Sequence, residues 1–269
     1  MSETIRWNRA LHPYELQRQF VGVLFFVNYH KELKYMKVIY NDGRADVCAP
    51  EEELHILRHS AAHIMAQAVK RLYPDTKLAI GPSVDNGFYY DFDSEVSFTP
   101  EILEKIEAEM KKIIKEGDEL EYFTLSREEA IALMKEKDEP YKVELIEDLK
   151  EGETISFYRQ GEFVDLCAGP HLMSTKPIKA FKLISSSGAY WRGSEKNKML
   201  TRVYGTSYTK KADLDEYLAH LEDIKKRDHN KLGREMELFT TVDVIGQGLP
   251  LLMPKGVTMI NTLQRWIED

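Results

Sequence analysis

A mixed α+β fold is what this sequence predicts, and three observations carry it. Apolar residues recur at helical spacing from Leu54 to Leu72, two segments read as strand, turn and strand, and the chain turns strand-rich after Tyr141. In order, residues 1 to 36 show no usable pattern. Lys37 to Val47 holds two short apolar runs around Asn41-Asp42-Gly43, a hairpin signal. Ala49-Pro50-Glu51-Glu52-Glu53 reads as a helix start, with acid complementing the helix dipole. Leu54, Leu57, Ala61, Ile64, Met65, Ala68 and Leu72 then make one apolar face, so an amphipathic helix is expected, ended by Pro74. Leu78 to Phe92 reads as two strands bent at Asp85-Asn86-Gly87. Residues 100 to 116 and Ser126 to Glu136 read as helices, the latter with Ser126 and Glu129 at capping-box spacing. Strands are expected at Ile155–Tyr158, Phe163–Leu166, Phe181–Ile184 and through Lys198 to Tyr208. Asp213 to Met236 is a charged helical stretch that suits a connector. Gly246 to Pro250 and Pro254-Lys255-Gly256 read as turns, and a last helix begins near Thr258.

Bulk properties narrow the function. The 269 residues are enough for one large domain or two smaller ones. A net charge of −8 argues against holding nucleic acid by bulk electrostatics, so any such contact must use local basic patches. Two cysteines, Cys48 and Cys167, are too few for a disulfide framework and suit a reducing compartment. The apolar run Phe20 to Val27 is about half of what a membrane span needs. The chain reads as cytoplasmic, with no membrane partner.

One constellation carries chemistry. His59 and His63 lie four apart on the first long helix, which places both imidazoles on one face. Cys167-Ala-Gly-Pro-His171 sets a thiol and a third imidazole four apart across a tight turn. Together they suit a tetrahedral zinc site and, equally, a hydrolytic site in which imidazoles position and deprotonate water. A single histidine pair is a weak signal, and a lone Cys beside Leu166 is more often a small buried apolar residue. Their joint occurrence at matching spacing is the stronger argument.

Several longer motifs add a resemblance. Arg58-His-Ser-Ala-Ala-His63, Ala79-Ile-Gly-Pro82, Gly87-Phe-Tyr-Tyr-Asp-Phe-Asp93, Val164-Asp-Leu-Cys-Ala-Gly-Pro-His171 and Ser187-Gly-Ala-Tyr-Trp-Arg-Gly193 resemble the editing domain of bacterial threonyl-tRNA synthetases. Met199 to Thr206 and Arg227 to Glu235 extend the match, which covers about residues 54 to 269. The resemblance implies hydrolysis of seryl-tRNA carrying the threonine anticodon, Ser-tRNA(Thr), at its ester bond. It implies a pocket lined by His59, His63, Cys167 and His171, with roles for Lys142, Tyr90 and Asp165. In that expectation His59 and Lys142 position or activate water, Asp165 reads the substrate's amino group, and Tyr90, His63 and His171 shape the pocket. Cys167 is the less favoured candidate for a covalent nucleophile. Without the family, Lys142 reads as a solvated surface charge, Asp165 as a strand residue and Tyr90 as a core aromatic. Editing needs no cofactor in this reading. Related alanyl-type editing domains hold zinc with a similar set, so zinc at His59, His63, Cys167 and His171 is permitted here but not expected.

The same resemblance divides the chain into residues 1–50, a faint β-grasp remnant; 51–212, the editing domain; 213–238, a helical connector; and 239–269, the start of an incomplete class II catalytic domain. The family's ATP and zinc sites lie beyond Asp269, so aminoacylation is not expected of this chain, and Leu249, Leu251, Leu252 and Met253 are expected to be exposed or disordered. Expected partners are tRNA(Thr) and its mischarged seryl form, and the family's homodimers form through a region absent here. Two alternatives remain: a non-catalytic tRNA-binding or zinc-structural module, and an alanyl-type trans-editing factor. Lys176, Lys179, Lys182, Arg192, Lys196, Lys198 and Arg202 around Tyr190-Trp191 suggest a phosphate track with a stacking platform, against a solvated strand face with a buried Trp191.

Overall fold

The computed structural model describes residues 36–246 and 248–268. It divides into two compact units: one holds the described residues up to Ile178 together with Lys182–Ser207, the other Lys179–Phe181 and the residues from Tyr208 on. The expectation of no pattern in residues 1 to 36 falls, save for Met36, outside the described residues. Among the described residues no helix is long and apolar enough to cross a membrane.

The larger unit is mixed α+β, as the sequence predicts. Helix α1 (Glu53–Leu72) is its centre. The apolar stripe suggests a surface helix, yet α1 is buried on all sides, including Arg58, Ser60, His63 and Gln67. The physical reason is its neighbours. It packs on helix α2 (Pro100–Glu116) and against strands β4 (Ser83–Val84), β5 (Gly87–Asp93) and β9 (His171–Leu172), which leaves it no solvated face along most of its length. Small residues Ala61, Ala62, Ala66 and Ala68 permit that crowding. Each buried polar group on α1 therefore needs a partner, and Arg58 finds the carbonyls of Asp85 and Ser207.

Three sheets surround it. Strand β5 pairs on one side with β11 (Met199–Tyr208) and on the other with β3 (Lys77–Leu78) and β4, while β10 (Ala180–Tyr190) borders β11. A second sheet is β6 (Leu120–Leu125), β7 (Ile155–Gln160) and β8 (Phe163–Leu166), all antiparallel. The third joins the predicted hairpin, β1 (Lys37–Ile39) and β2 (Ala45–Val47), to β9, with Ile39 opposite His171 and Val38 opposite Leu172.

Helix α3 (Arg127–Glu136) begins with the expected capping box. Strand-rich sequence is expected after Tyr141, yet Pro140–Asp148 forms a short helix, α4, with Pro140 in the first turn where the missing N–H costs nothing. Its Ile146 packs with Ala130, Met134, Ile155 and Phe157, which supplies the apolar face its sequence alone barely shows.

In the second unit the predicted single helical stretch is two helices, α5 (Lys211–Lys226) and α6 (His229–Glu235), with Asp228 capping the second through Lys231 N–H. Strands β12 (Phe239–Thr240) and β13 (Leu251–Leu252) pair. Helix α7 (Pro254–Glu268) takes in the residues expected as a turn at Pro254-Lys255-Gly256. Leu249, Leu251, Leu252 and Met253 are exposed, as are Trp266 and Ile267.

Candidate active site

Helical spacing places His59 and His63 one turn apart on α1, with ring centroids 5.2 Å apart. On β8, Phe163 and Asp165 are buried while Val164 and Leu166 are only partly so, the period-two alternation that turns Asp165 inward. Just past β8, Cys167 N–H donates to the Ser156 carbonyl (3.1 Å) and Ser156 Oγ donates to the Cys167 carbonyl (2.7 Å). The chain then turns through Gly169, at φ +70°, and a cis Gly169–Pro170 bond. A Cβ on Gly169 would lie 2.1 Å from the Tyr158 hydroxyl, so only glycine passes here. After the turn His171 enters β9, held by the hairpin strand β1.

These elements bring the sequence-predicted set together. One donor atom each from His59, His63, Cys167 and His171 lies within 4.8 Å of every other. The His171 ring is 4.2 Å from both the His59 and His63 rings, and Cys167 Sγ is 3.3 Å from His59 Nε2 and from His171 Nε2. His63 and His171 are buried, whereas His59 and Cys167 as whole residues keep partial exposure.

Beside the imidazoles lies a second group. Lys142 Nζ pairs with Asp165 Oδ1 at 2.6 Å and the Tyr90 hydroxyl donates to Asp165 Oδ2 at 2.6 Å; His63 Nε2 is 3.8 Å from the same oxygen. Lys142 is 3% exposed, which corrects its reading as a solvated charge: α4 aims its first turn inward. Glu139, at the start of α4, fixes that turn by accepting Leu78 N–H (2.6 Å) and pairing with Lys70 (2.8 Å). Tyr90 is fully buried and also takes part in packing, as a core aromatic would. Gly81 packs against its ring so closely that a Cβ would sit 2.0 Å away.

Burial sets the protonation states. It pushes His59 down to about 4 and His63 to about 3, and His171 well below its ordinary value, so all three are neutral imidazoles at pH 7. Burial also pushes the Cys167 thiol up to about 12, against a smaller pull from the Gly169 N–H. For Asp165 burial raises the pKa, but Lys142, His63 and the Tyr90 hydroxyl outweigh it and leave it below the usual carboxylate range.

The sequence missed Ser60, Glu139 and Gly81. Ser60 Oγ contacts His171 Nδ1 at 3.1 Å and accepts Leu172 N–H at 2.9 Å, yet nothing in a serine inside a helix signals this. The basic cluster fares differently from the phosphate-track expectation. Trp191 is buried with its Nε1–H on Glu144, and Arg192, Lys198, Arg202 and Lys182 are paired with acids.

Residues 155–204, from β7 through most of β11, match the family described as the threonyl and alanyl tRNA synthetase second additional domain. That match falls on the strands and turn that carry Asp165, Cys167 and His171, so the site is built where the chain is similar to this synthetase domain. The chain is similar to threonine--tRNA ligases: 64% identical over 234 residues to that of Clostridium perfringens (strain SM101 / Type A) and 67% over 233 to that of Clostridium botulinum (strain Eklund 17B / Type B). The relative from Acetivibrio thermocellus is 66% identical over 213 residues. These matches cover 86%, 86% and 79% of this chain and 36%, 36% and 33% of the relatives. The resemblance to threonyl-tRNA synthetases is borne out, and the chain spans about a third of the length of the curated relatives it matches.

Proposed function

We propose that this region hydrolyses mischarged seryl-tRNA(Thr) in the cytoplasm, removing serine from the tRNA's 3′ end. The need is physical: a pocket built for threonine cannot strongly reject serine, since a missing methyl is worth only ~1–3 kcal/mol. The observation that carries the reading is the adjacency of three neutral imidazoles and a thiol to the buried Lys142–Asp165–Tyr90 group.

In the reaction, water attacks the acyl carbon, its proton passes to a base, and the bond to the ribose oxygen breaks as that oxygen takes up a proton. His59 is the partly exposed imidazole and, being neutral, can accept the proton. Lys142 places a positive charge where negative charge develops on the carbonyl oxygen. Asp165 meets the substrate's amino group by sharing oxygens now held by Lys142 and Tyr90. His63, His171 and Tyr90 wall the pocket. Cys167 serves as part of the wall, because a thiol held near 12 is not a nucleophile at neutral pH.

The donor set also suits zinc in its chemistry: tetrahedral ligands at zinc distances lie about 3.4–3.7 Å apart, the two Cys167 Sγ contacts are 3.3 Å, and the whole set lies within 4.8 Å. His59, His63, Cys167 and His171 would hold the ion, which supplies rigidity when all four bind and Lewis-acid polarisation when a position stays open. That geometry favours the second reading, a tRNA-binding module with a closed metal site. Deacylation of seryl-tRNA(Thr) by the protein and by His59→Ala, with metal content measured on the same samples, separates them. Hydrolysis that falls at least 100-fold in His59→Ala supports editing. A wild-type protein that carries zinc and leaves seryl-tRNA intact sinks it. Charging of tRNA with threonine, and any dimerisation, would belong to a protein of the relatives' full length.

A further inference from the structure

The hydrogen bonds through the cluster have one consistent direction, fixed by backbone groups at both ends. At one end His59 Nδ1 meets the Pro170 carbonyl at 3.2 Å. A carbonyl only accepts, so His59 carries its proton on Nδ1 and offers a lone pair at Nε2. The contact from His59 Nε2 to Cys167 Sγ (3.3 Å) must then use the thiol hydrogen. Having spent it, the sulfur can only accept from His171 Nε2 (3.3 Å), as it also accepts from Gly169 N–H (3.3 Å). His171 therefore carries its proton on Nε2 and bares Nδ1, and the Ser60 hydroxyl donates to it (3.1 Å). At the other end Leu172 N–H, which can only donate, fills a lone pair of Ser60 Oγ (2.9 Å). In the opposite tautomer of His171, Ser60 would accept twice and its own buried proton would have no partner among the described residues, at 2% exposure.

We propose that Ser60 is a positioning residue that holds His171 in the Nε2–H tautomer, making His171 a hydrogen-bond donor inside the cluster and leaving the His59 Nε2 lone pair as the proton acceptor beside Cys167. This rests on the hydrolytic reading for its consequence, though not for its geometry. The S–H bond to His59 is the weakest link, since a thiol is a poor donor. A water that displaces it finds the Nε2 lone pair ready, while His171 stays a donor throughout. The same order and a metal ligated through His171 Nε2 exclude each other, because that nitrogen cannot hold both.

Long-range proton–nitrogen NMR correlation of 15N-histidine-labelled protein reads the tautomers directly, without substrate. The wild type is expected to show His171 protonated at Nε2 and His59 at Nδ1. In Ser60→Ala the His171 signals should shift toward a mixture, and Ser60→Thr, which keeps the hydroxyl, should restore the single form. Deacylation of seryl-tRNA(Thr) should fall ~10-fold in kcat with KM little changed in Ser60→Ala, and recover in Ser60→Thr. His171 protonated at Nδ1 in the wild type, or bonded to zinc in the purified protein, overturns the proposal whether or not Ser60→Ala folds. Correct tautomers in a protein without hydrolysis would overturn the editing reading alone.

Discussion

Lys142 and Asp165 form an ion pair with both side chains almost fully out of water. Such a pair is a weak source of net stability, because desolvating two charges offsets most of their attraction. Removing one partner is another matter. In Lys142→Met the carboxylate would keep Tyr90 and His63 but lose the cation paired with it, and breaking a buried pair costs about 3–5 kcal/mol. Urea unfolding should show that loss, and adding Asp165→Asn to Lys142→Met should recover part of it. A double variant that has lost the sum of the separate Lys142→Met and Asp165→Asn losses would mean that the pair is not coupled as its geometry indicates. The fully buried His171, by contrast, depends on neighbours that carry no charge: a serine hydroxyl, a thiol and the Tyr158 ring 4.5 Å away.

Elements decide which of these side chains can meet. Strand β5 brings Tyr90 to Asp165 only because residue 81, in the segment before β4, is a glycine lying flat against the Tyr90 ring. Gly81→Ala would force that ring or the segment to shift, as overpacked sites do, at a cost of ~1–3 kcal/mol. Since the ring carries the hydroxyl that holds Asp165 Oδ2, deacylation should fall more than stability does. Thermal unfolding and deacylation on one preparation would show this. A Gly81→Ala protein that matches the wild type in both would mean that Tyr90 tolerates displacement. The hairpin of β1 and β2 matters for a similar reason. Predicted as a local feature, it serves as the edge on which the His171 strand is paired.

At the scale of the molecule, burying neutral histidines ties stability to pH. Unfolded histidines take up protons near 6.5, whereas His59 and His63 resist until about 4 and about 3 and His171 is held well below its ordinary value. Between pH 6.5 and 4 the unfolded chain thus binds more protons than the folded one. The histidine contribution is complete above 6.5 and is lost as pH falls, at up to ~1.4 kcal/mol per pH unit for each imidazole. Asp165, depressed below the carboxylate range, adds its loss only at lower pH. Glu139, raised by burial, acts in the opposite sense, but it is one group against three. The urea midpoint should drop steadily from pH 7 to pH 4.5, and a flat profile would contradict the neutral, buried state of the cluster.

Short-range spacing was enough for the α+β class, the long helix, the capping box and the four clustered side chains His59, His63, Cys167 and His171: i, i+4 on a helix, and a turn between a thiol and an imidazole. Lys142 was legible only through family resemblance, since a lysine in a charged helix looks like any solvated lysine until packing buries it. Ser60 left no trace at all. Its role comes from a backbone N–H and an imidazole more than a hundred residues away. Burial and direction came from the three-dimensional packing alone: which charges lose water, and which way each hydrogen bond must run. Both depend on neighbours drawn from distant strands, and spacing along the chain does not encode them.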